Sequence, residues 1–537
     1  MNSRQKDEGL RFFIFLFYRQ MKDVDKSGLC AGGNSVRRET MQYIGSGDEM
    51  QRIDAYSIET MGIPGIVLME RAALAMEEEI VRRFPAPASV TIIAERGNNG
   101  GDGLALGRLL LAIGYDVGIF EIGGVRRASE SYQIQRKILE NLGVCFLEAL
   151  PETDSDLWVD AVFGVGLKRE VAGIQREVLE EVNHRNGYKI AVDIPSGVDA
   201  SSGRILGYGF QADMTITFGL NKVGLALYPG ASLAGEVVVK DIGFPTQAVD
   251  AVSPETVTYT REDLCRLPKR HPWSNKGTYG KVLLIVGAKN MAGAACLSAS
   301  AAYRTGSGLV RIFTCVEDRE ILQSRVPEAI MTTYRTEEEA LEKLPEALAW
   351  ASVVGIGPGL GQNALTGRLL SAVLAQGCCP LVIDADGINT LAALQKEERE
   401  LYHSYGAPMI LTPHLKEMER LTGRTVADIK DDLMGTAKEA ADQRHIFVLK
   451  DARTIVSDGS APTYINMSGN NGMSTGGSGD VPTGIICGLL AGGLSALEAA
   501  RLGVYCHGLA GDEAAREKGY YGLMAGDLIR HLNAVIR

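Results

Sequence analysis

Short apolar runs that end in glycine- or aspartate-rich segments recur along the whole chain, and no other pattern constrains the fold as strongly. The runs lie at residues 90–94, 157–163, 189–193, 280–287, 352–357, 381–386, 409–414 and 445–450. Each run has the length of a buried β-strand, and helical stretches lie between the runs. Strands that alternate with helices predict an α/β fold whose mostly parallel sheet is covered on both faces. Ligands of such sheets bind beyond the carboxyl ends of the strands.

The chain has 537 residues, too many for one ordinary core, so two or more domains are expected. We expect domains at 41–250 and 266–537, with a linker at 251–265 in a stretch rich in proline and polar residues. The organised pattern begins near Met41, so residues 1–40 are interpreted as a disordered or wrongly translated extension. Its apolar run at 11–19 is too short to span a bilayer. Attachment of this run to a membrane surface is the alternative.

Charge and cysteine content exclude several classes of protein. The net charge of −11 argues against a nucleic-acid binder that works by broad positive charge, although a local basic pocket for one nucleotide remains compatible with it. The nine cysteines include no CxxC pair, so neither a disulfide framework nor a zinc site is indicated. We therefore expect a cytoplasmic protein that binds neither nucleic acid nor membranes.

The sharpest local motif of the first half is GNNGGDG at 97–103, directly after an apolar run. Its glycines allow backbone N–H groups to approach an anion such as a pyrophosphate, and a helix that begins near Leu104 would add its positive end. The spacing matches neither GxGxxG nor a Walker A loop. A glycine-rich turn without a ligand is the alternative interpretation.

Polar residues stand at or near the ends of several apolar runs in the first half. Oxygen atoms of Asn99, Asp160 and Ser196 have the chemistry of ligands for a hard cation. The same residue types also cap helices and tighten turns, and spacing alone favours this second interpretation. Asp193 ends another run and is a candidate for proton transfer.

In the second half, a segment at 470–480 ends in Gly477-Ser478-Gly479-Asp480 before a helix of small and apolar residues. Backbone N–H groups at a helix start bind a transferring phosphoryl group, and Asp480 beside them is placed to take a proton from a hydroxyl. A helix cap after a flexible turn is the alternative. Spacing makes the two interpretations comparable, and the glycine-rich strand ends elsewhere favour the first.

Six motifs of the first half resemble the YjeF N-terminal family, known as NAD(P)H-hydrate epimerase: 69–71, 97–103, 161–170, 193–200, 212–219 and 241–245. The family interconverts the R and S forms of NAD(P)H hydrated at the nicotinamide C6. The resemblance implies a potassium ion at Asn99, Asp160 and Ser196, and for the chemistry at C6 the carboxylate of Asp193 is the candidate that shuttles the proton. It implies nucleotide contacts at Asn98, Asn99, Gly100, Gly101, Asp102, Gly164, Val165, Gly166, Leu167, Lys168, Arg169, Glu170 and Asp193.

The second half resembles the ribokinase-like superfamily and, within it, NAD(P)H-hydrate dehydratase. The segments that carry the resemblance are 276–282, 287, 292–295, 355–361, 384–386, 411–414 and 470–480. That family uses ADP in bacteria to remove water from the S hydrate, with magnesium on the phosphates. The resemblance implies Asp480 as the catalytic base and hydrate contacts at Ala294, Gly359, His414 and Asp480. It implies AMP contacts at Lys450, Asp451, Ala452, Arg453, Thr454 and Gly479.

The two resemblances together imply an α/β chain with a Rossmann-like three-layer domain followed by a ribokinase-like three-layer domain. They imply a bifunctional repair enzyme with hydrated NADH, hydrated NADPH and ADP as small-molecule partners, expected to form a homo-oligomer. A vitamin-precursor kinase with an accessory N-terminal binding domain is the alternative. The family pattern is broken at Leu415, Lys416, Asp451 and Pro482. Of these, Asp451 would weaken ADP binding if its carboxylate pointed inward.

Overall fold

A computed structural model describes residues 41–123, 128–397, 405–460 and 462–536. The extension expected at 1–40, with its apolar run and Cys30, lies outside the described residues. Residues 41–537 form one unit.

The strands are labelled in chain order. They are β1 (Gln42–Gly45), β2 (Ser89–Ala94), β3 (Asp116–Glu121), β4 (Leu157–Ala161), β5 (Tyr188–Val192), β6 (Met214–Phe218), β7 (Asn221–Lys222), β8 (Glu236–Lys240), β9 (Thr256–Thr258), β10 (Lys281–Ile285), β11 (Leu309–Cys315), β12 (Ile330–Tyr334), β13 (Val353–Ile356), β14 (Leu381–Ile383), β15 (Met409–Leu411), β16 (His445–Leu449), β17 (Ile455–Ser457) and β18 (Thr463–Ile465).

The α-helices are labelled in the same way. They are α1 (Gly47–Ala55), α2 (Gly65–Arg83), α3 (Asn98–Ala112), α4 (Glu130–Asn141), α5 (Gly173–His184), α6 (Val223–Ala226), α7 (Gly230–Leu233), α8 (Thr246–Val252), α9 (Ala292–Arg304), α10 (Arg319–Arg325), α11 (Glu337–Trp350), α12 (Ala364–Gln376), α13 (Asp386–Glu397), α14 (Leu415–Thr422), α15 (Val426–Asp431), α16 (Leu433–Ala440), α17 (Asp480–Ala491), α18 (Ala496–Lys518) and α19 (Ala525–Val535).

The smaller of the two sheets lies in the first half of the chain and is entirely parallel, in the order β3-β2-β4-β5-β6-β8. Neighbouring residues of β2 point to opposite faces, so Ile92 joins one apolar cluster with α2 and α3. Ile93 joins another cluster with Leu179 of α5. Helices therefore cover both faces, which confirms the predicted three-layer arrangement.

The larger sheet has twelve strands, in the order β12-β11-β10-β13-β14-β15-β16-β17-β18-β9-β1-β7. Strands β10 to β16 pair in parallel, and alternate residues again face opposite clusters, as Leu284 and Leu283 show. The α/β class expected for the second half is confirmed.

Two strands from the first half of the chain extend the larger sheet. β1 pairs with β9, and β7 pairs with β1 at the sheet edge. The segment 251–265, expected to be a linker, contains β9, whose other neighbour is β18. The two halves are thus joined by paired backbone as well as by the connecting chain, and the exact domain limits stay a prediction.

Candidate active sites

A cavity of about 720 Å³ opens at the carboxyl edge of the smaller sheet. The predicted contacts that line it are Asn98, Asn99, Asp102, Gly164, Val165, Gly166, Leu167, Lys168, Arg169 and Asp193. Gly100, Gly101 and Glu170 are not among its lining residues. The structure therefore brings most of the predicted nucleotide contacts of the first half to one cavity.

The GNNGGDG motif is mainly helix, because α3 already begins at Asn98. The expectation of a helix start near Leu104 was wrong. The glycines permit the early start: a Cβ on Gly100 would lie 1.6 Å from the carbonyl oxygen of Glu95, and one on Gly103 would lie 2.5 Å from Ala161 Cβ. The first backbone N–H groups of α3 have no partner within the helix and are free for an anion at the cavity edge.

Asp193 follows β5 with a left-handed backbone, φ 65°. Its Oδ1 accepts hydrogen bonds from Lys222 Nζ at 2.6 Å, from Thr217 Oγ1 at 3.0 Å and from the Phe218 amide at 3.2 Å. These partners fix the carboxylate of the predicted catalytic residue at the wall of the cavity.

Lys222 is a buried lysine that the sequence analysis missed. Its Nζ donates to Asp193 Oδ1, to Thr217 Oγ1 at 2.7 Å and to the Phe218 carbonyl at 2.8 Å. Burial lowers the pKa of Lys222, whereas the charge of Asp193 opposes this shift. Three acceptors match the three protons of an ammonium group, so the geometry favours the charged form. A single lysine after a strand carries no sequence signal that would have identified it.

Besides Glu95, two further aspartates line the same cavity, Asp54 and Asp102. Burial and the nearby charge of Asp193 raise the pKa of both groups, and that of Asp102 is raised well above its usual value. Asp54 was not predicted as a site residue.

Of the three residues predicted to bind potassium, Asn99 lines the cavity, whereas Asp160 and Ser196 are buried and are not among its lining residues. Asp160 is buried and accepts hydrogen bonds from the Ser196 amide and hydroxyl, both at 2.7 Å, and from the Val162 amide at 3.1 Å. Burial raises the pKa of Asp160 to about 6, against the effect of these hydrogen bonds. Within the described part of the chain, the buried Nδ2 of Asn99 has no acceptor.

In the second half, Asp480 is the first residue of α17, directly after the glycine-rich segment. Burial raises the pKa of Asp480 to about 6; Asp384 and Asp386 add to this shift, and Lys450 opposes it. The Asp480 carboxyl therefore lies among charged groups at the carboxyl edge of the larger sheet, at the start of a helix. This is the arrangement expected for a base beside a phosphoryl group.

The acidic neighbour of Asp480 is held in a buried network. Asp384 accepts hydrogen bonds from Lys450 Nζ at 2.6 Å and from Thr483 Oγ1, on α17, at 2.7 Å. The sequence analysis quoted Asp384 as part of a motif without giving it a role. Its position after β14 is the signal that could have assigned one.

Among the predicted hydrate contacts of the second half, Gly359 and Ala294 lie near each other, and His414 lies beside Lys450 of this network. A Cβ on Gly359 would lie 2.9 Å from Ala294 Cβ, so these two residues face each other closely. His414 forms a β-bridge with Lys450. Its Nδ1 accepts from the amides of Lys416 and Glu417, which leaves Nε2 as the donor of a neutral ring. Burial and Lys450 lower the pKa of His414, in agreement with a neutral ring.

The six residues predicted to contact AMP, five directly after β16 and the sixth Gly479, have different surroundings. Lys450 contacts Asp384, and a Cβ on Gly479 would come within 4.0 Å of Lys450 Nζ, so these two predicted residues are together. Asp451 and Ala452 are exposed. Arg453 Nε donates to the Ala226 carbonyl at 3.2 Å, and Thr454 accepts through its backbone from Asn466. The structure thus ties Arg453 to α6, the helix that follows Lys222.

Other general expectations can be compared with the described residues. The eight cysteines among them are all free thiols, as predicted. None of the described helices combines the length and apolar character that a bilayer crossing demands.

Comparison with known proteins covers both halves. A family model described as YjeF-related protein N-terminus matches residues 65–224, and one described as NAD(P)H-hydrate dehydratase matches residues 282–534. The bifunctional NAD(P)H-hydrate repair enzyme of Moorella thermoacetica is 39% identical over 523 residues, with 92% of this chain and 97% of that protein covered. The enzyme of the same name from Thermofilum pendens is 36% identical, with 91% and 95% covered.

A solved structure of an ADP/ATP-dependent NAD(P)H-hydrate dehydratase from Bacillus subtilis, co-crystallised with ATP and Mg²⁺, is also similar. It is 29% identical, has a TM-score of 0.45, and covers 52% of this chain and 96% of that one. On the full-length sequence relatives and the two family models, the chain belongs to the family of bifunctional NAD(P)H-hydrate repair enzymes.

Proposed function

We propose that this chain repairs hydrated NADH and NADPH in two successive reactions. The first half interconverts the R and S hydrates, and the second half dehydrates the S form at the expense of ADP, giving AMP and phosphate. One observation carries the proposal: each half places an aspartate, Asp193 or Asp480, at the carboxyl edge of a sheet where a glycine-rich helix start lies.

The first half has the features that epimerisation of a dinucleotide needs. A cavity of about 720 Å³ is within the usual range for small-molecule sites. The start of α3 offers backbone N–H groups and a positive helix end to the pyrophosphate. Asp193, fixed by Lys222, supplies a carboxylate for proton transfer at the nicotinamide C6.

The second half has the features that phosphoryl transfer from ADP needs. Asp480 takes the proton of the C6 hydroxyl, whose oxygen attacks the terminal phosphorus of ADP, and AMP leaves. The backbone N–H groups at the start of α17 stabilise charge on the transferring group. Phosphate then departs from C6 with its bonding electrons, C5 loses a proton to water, and the C5=C6 double bond forms, which restores the conjugation of the ring. His414 donates through Nε2 to the bound hydrate and positions it.

Magnesium is expected with ADP; within the described residues no cluster of three or more acidic, histidine or cysteine side chains could hold the ion alone, so the phosphates of ADP and water would supply most of its ligands. When bound, the ion supplies positive charge to the phosphates. Asp386, whose charge raises the pKa of Asp480, is the residue that would hold it. Lys450 and Gly479 are proposed to contact the AMP portion, as are the exposed Asp451 and Ala452 through their backbone.

Potassium in the first half is part of the proposal. Asp160, Ser196 and the side-chain oxygen of Asn99 form an all-oxygen donor set, which suits a hard cation. The unpartnered Nδ2 of Asn99 supports this, because an amide rotated by half a turn would present its oxygen there instead. When bound, the ion would supply charge that stabilises ionised Asp160 and the turn after β4.

The proposal is tested by mixing both hydrates with the protein, ADP and magnesium and following the absorbance of reduced nicotinamide. Full recovery of both epimers is expected. Asp480→Asn should stop dehydration while R and S still interconvert, and Asp193→Asn should leave only the S form consumed. Phosphorylation of a vitamin alcohol without any recovery of NADH would overturn the proposal in favour of a kinase. A cytoplasmic location and a homo-oligomer stay predictions from the sequence.

A further inference from the structure

The cavity of the first half is lined by three aspartates, by Glu95 and by one buried cation, Lys222. Lys222 contacts only Asp193 among the three. Within the described residues, neither Asp54 nor Asp102 accepts a hydrogen bond from the protein. The three aspartates therefore differ in their hydrogen bonds although they line one cavity. Carboxyl groups in different surroundings take different protonation states.

Electrostatics assigns those protonation states. The Lys222 ammonium and two further donors stabilise negative charge on Asp193. Burial, then the charges of Asp193 and Asp54, raise the pKa of Asp102 well above its usual value. The start of α3 favours an anion at Asp102, but the burial of this side chain and the repulsion by Asp193 and Asp54 outweigh the helix end. Asp102 is the neutral acid and Asp193 is the carboxylate.

We propose that Asp102 and Asp193 act as the acid and base of epimerisation, with Lys222 as the residue that positions and charges Asp193. This proposal rests on the epimerase activity proposed above and assigns the proton donor, which that activity leaves open.

The chemical steps balance without any additional reactant. Asp102 gives its proton to the C6 hydroxyl, the C6–O bond breaks, and water leaves while the lone pair of N1 forms an N1=C6 double bond. Water then attacks C6 on the other face, the electron pair returns to N1, and Asp193 takes the proton of that water. One proton has moved from Asp102 to Asp193, and C6 is inverted. The other epimer is converted by the same steps in reverse.

The test uses the full-length protein without ADP, so that dehydration cannot proceed and the two hydrates can be separated and counted. Asp102→Asn is expected to lower the rate of R to S conversion by about 10² to 10⁴, the usual contribution of a general acid. Asp116→Asn, an exposed aspartate on β3, is the matched control and should retain the wild-type rate. Binding of NADH, measured by titration, should stay within a few-fold in Asp102→Asn and shows that the cavity is intact.

A competing assignment is Asp54 as the acid. Asp54→Asn is expected to lower the rate less than tenfold, because this side chain only adds to the local negative charge. If Asp54→Asn abolishes epimerisation while Asp102→Asn retains it, the proposed donor is wrong. If NADH binding is lost with the activity of Asp102→Asn, its role is binding and the proposal is overturned.

Oxygen exchange tests the order of bond breaking. In water labelled with ¹⁸O, each inverted molecule should carry label at C6, because the original hydroxyl leaves as water. Inversion with retained oxygen would mean that the ring opens at N1 instead, which contradicts the proposed steps. A wild-type protein that does not interconvert R and S would refute the proposed function itself, whereas an active wild type with an active Asp102→Asn refutes only this inference.

Discussion

Lys450 Nζ lies 2.6 Å from Asp384 Oδ1, and the hydroxyl of Thr483 donates a hydrogen bond to the other oxygen of the same carboxylate, Oδ2. The ion pair joins the residue that follows β14 to the residue that follows β16. Asp384 is buried, and Glu417 and Asp480 add further negative charge near Lys450. The positions of Asp480 and of the proposed nucleotide contacts depend on this network.

Loss of the Asp384 charge should therefore destabilise the second half. We expect Asp384→Asn to lower its free energy of unfolding by about 3 kcal/mol, because it leaves the Lys450 ammonium without its carboxylate. Thr483→Val, which removes one hydrogen bond from the same carboxylate, should cost about 1 kcal/mol. Denaturant unfolding followed by circular dichroism measures both. Equal effects of the two variants would contradict a charge-based role.

The pH dependence of dehydration should report Asp480. Burial raises its pKa to about 6. Because the base must be ionised, kcat/KM for dehydration should be constant above this value and fall as the pH drops through about 6. A pH–rate profile with the S hydrate and excess ADP gives the midpoint. Rates that stay constant down to pH 5 would show that another group is the base.

Potassium should stabilise the first half through Asp160. Burial raises the pKa of this carboxyl to about 6, so the folded state prefers the proton and its stability falls as pH rises from about 4 to about 6. A bound cation would replace that proton. Exchange of potassium for N-methylglucamine should therefore lower the melting temperature more at pH 7 than at pH 5. In Asp160→Asn the two cations should give the same melting temperature; a remaining difference would place potassium elsewhere.

Gly479 should be required for ADP and not for folding. Its φ of −69° suits any residue, and a Cβ there meets only Lys450 Nζ, at 4.0 Å. Gly479→Ala should keep the wild-type melting temperature and raise KM for ADP by at least about tenfold, because the methyl group occupies the space of the phosphates. A normal KM for ADP would remove Gly479 from the nucleotide site.

Asp451, another proposed contact of ADP, should behave differently from Gly479. Its carboxylate is exposed, so repulsion of ADP is screened by water and salt. We expect Asp451→Gly to change KM for ADP by less than about threefold. A larger gain in affinity would show that the carboxylate turns toward the phosphates when ADP binds.

Sequence patterns predicted the layers well because alternation of apolar residues reports directly on burial, as Ile92 and Ile93 illustrate. They failed at the start of α3, where the absence of a side chain at Gly100 lets the backbone pass close to the Glu95 carbonyl and the helix begins six residues early, at Asn98. The pairing of β1 with β9 and β7 was equally invisible, since register between distant short strands has no local signal.

The candidate sites show the same division. Asp193 and Asp480 stand in distinctive motifs and could be predicted from the sequence as candidates. Lys222 could not, because its importance comes from three acceptors that the fold brings to its ammonium. Asp54 lies on α1, far from any motif, and only the cavity relates it to Asp193.

The central claim is that one chain returns both hydrates to reduced nicotinamide at the expense of ADP. The most direct measurement counts NADH and AMP formed from a known mixture of R and S hydrate with excess ADP and magnesium. The account predicts one AMP for each NADH, with both reaching the total of R plus S. NADH that stops at the S fraction, or forms without AMP, would contradict it.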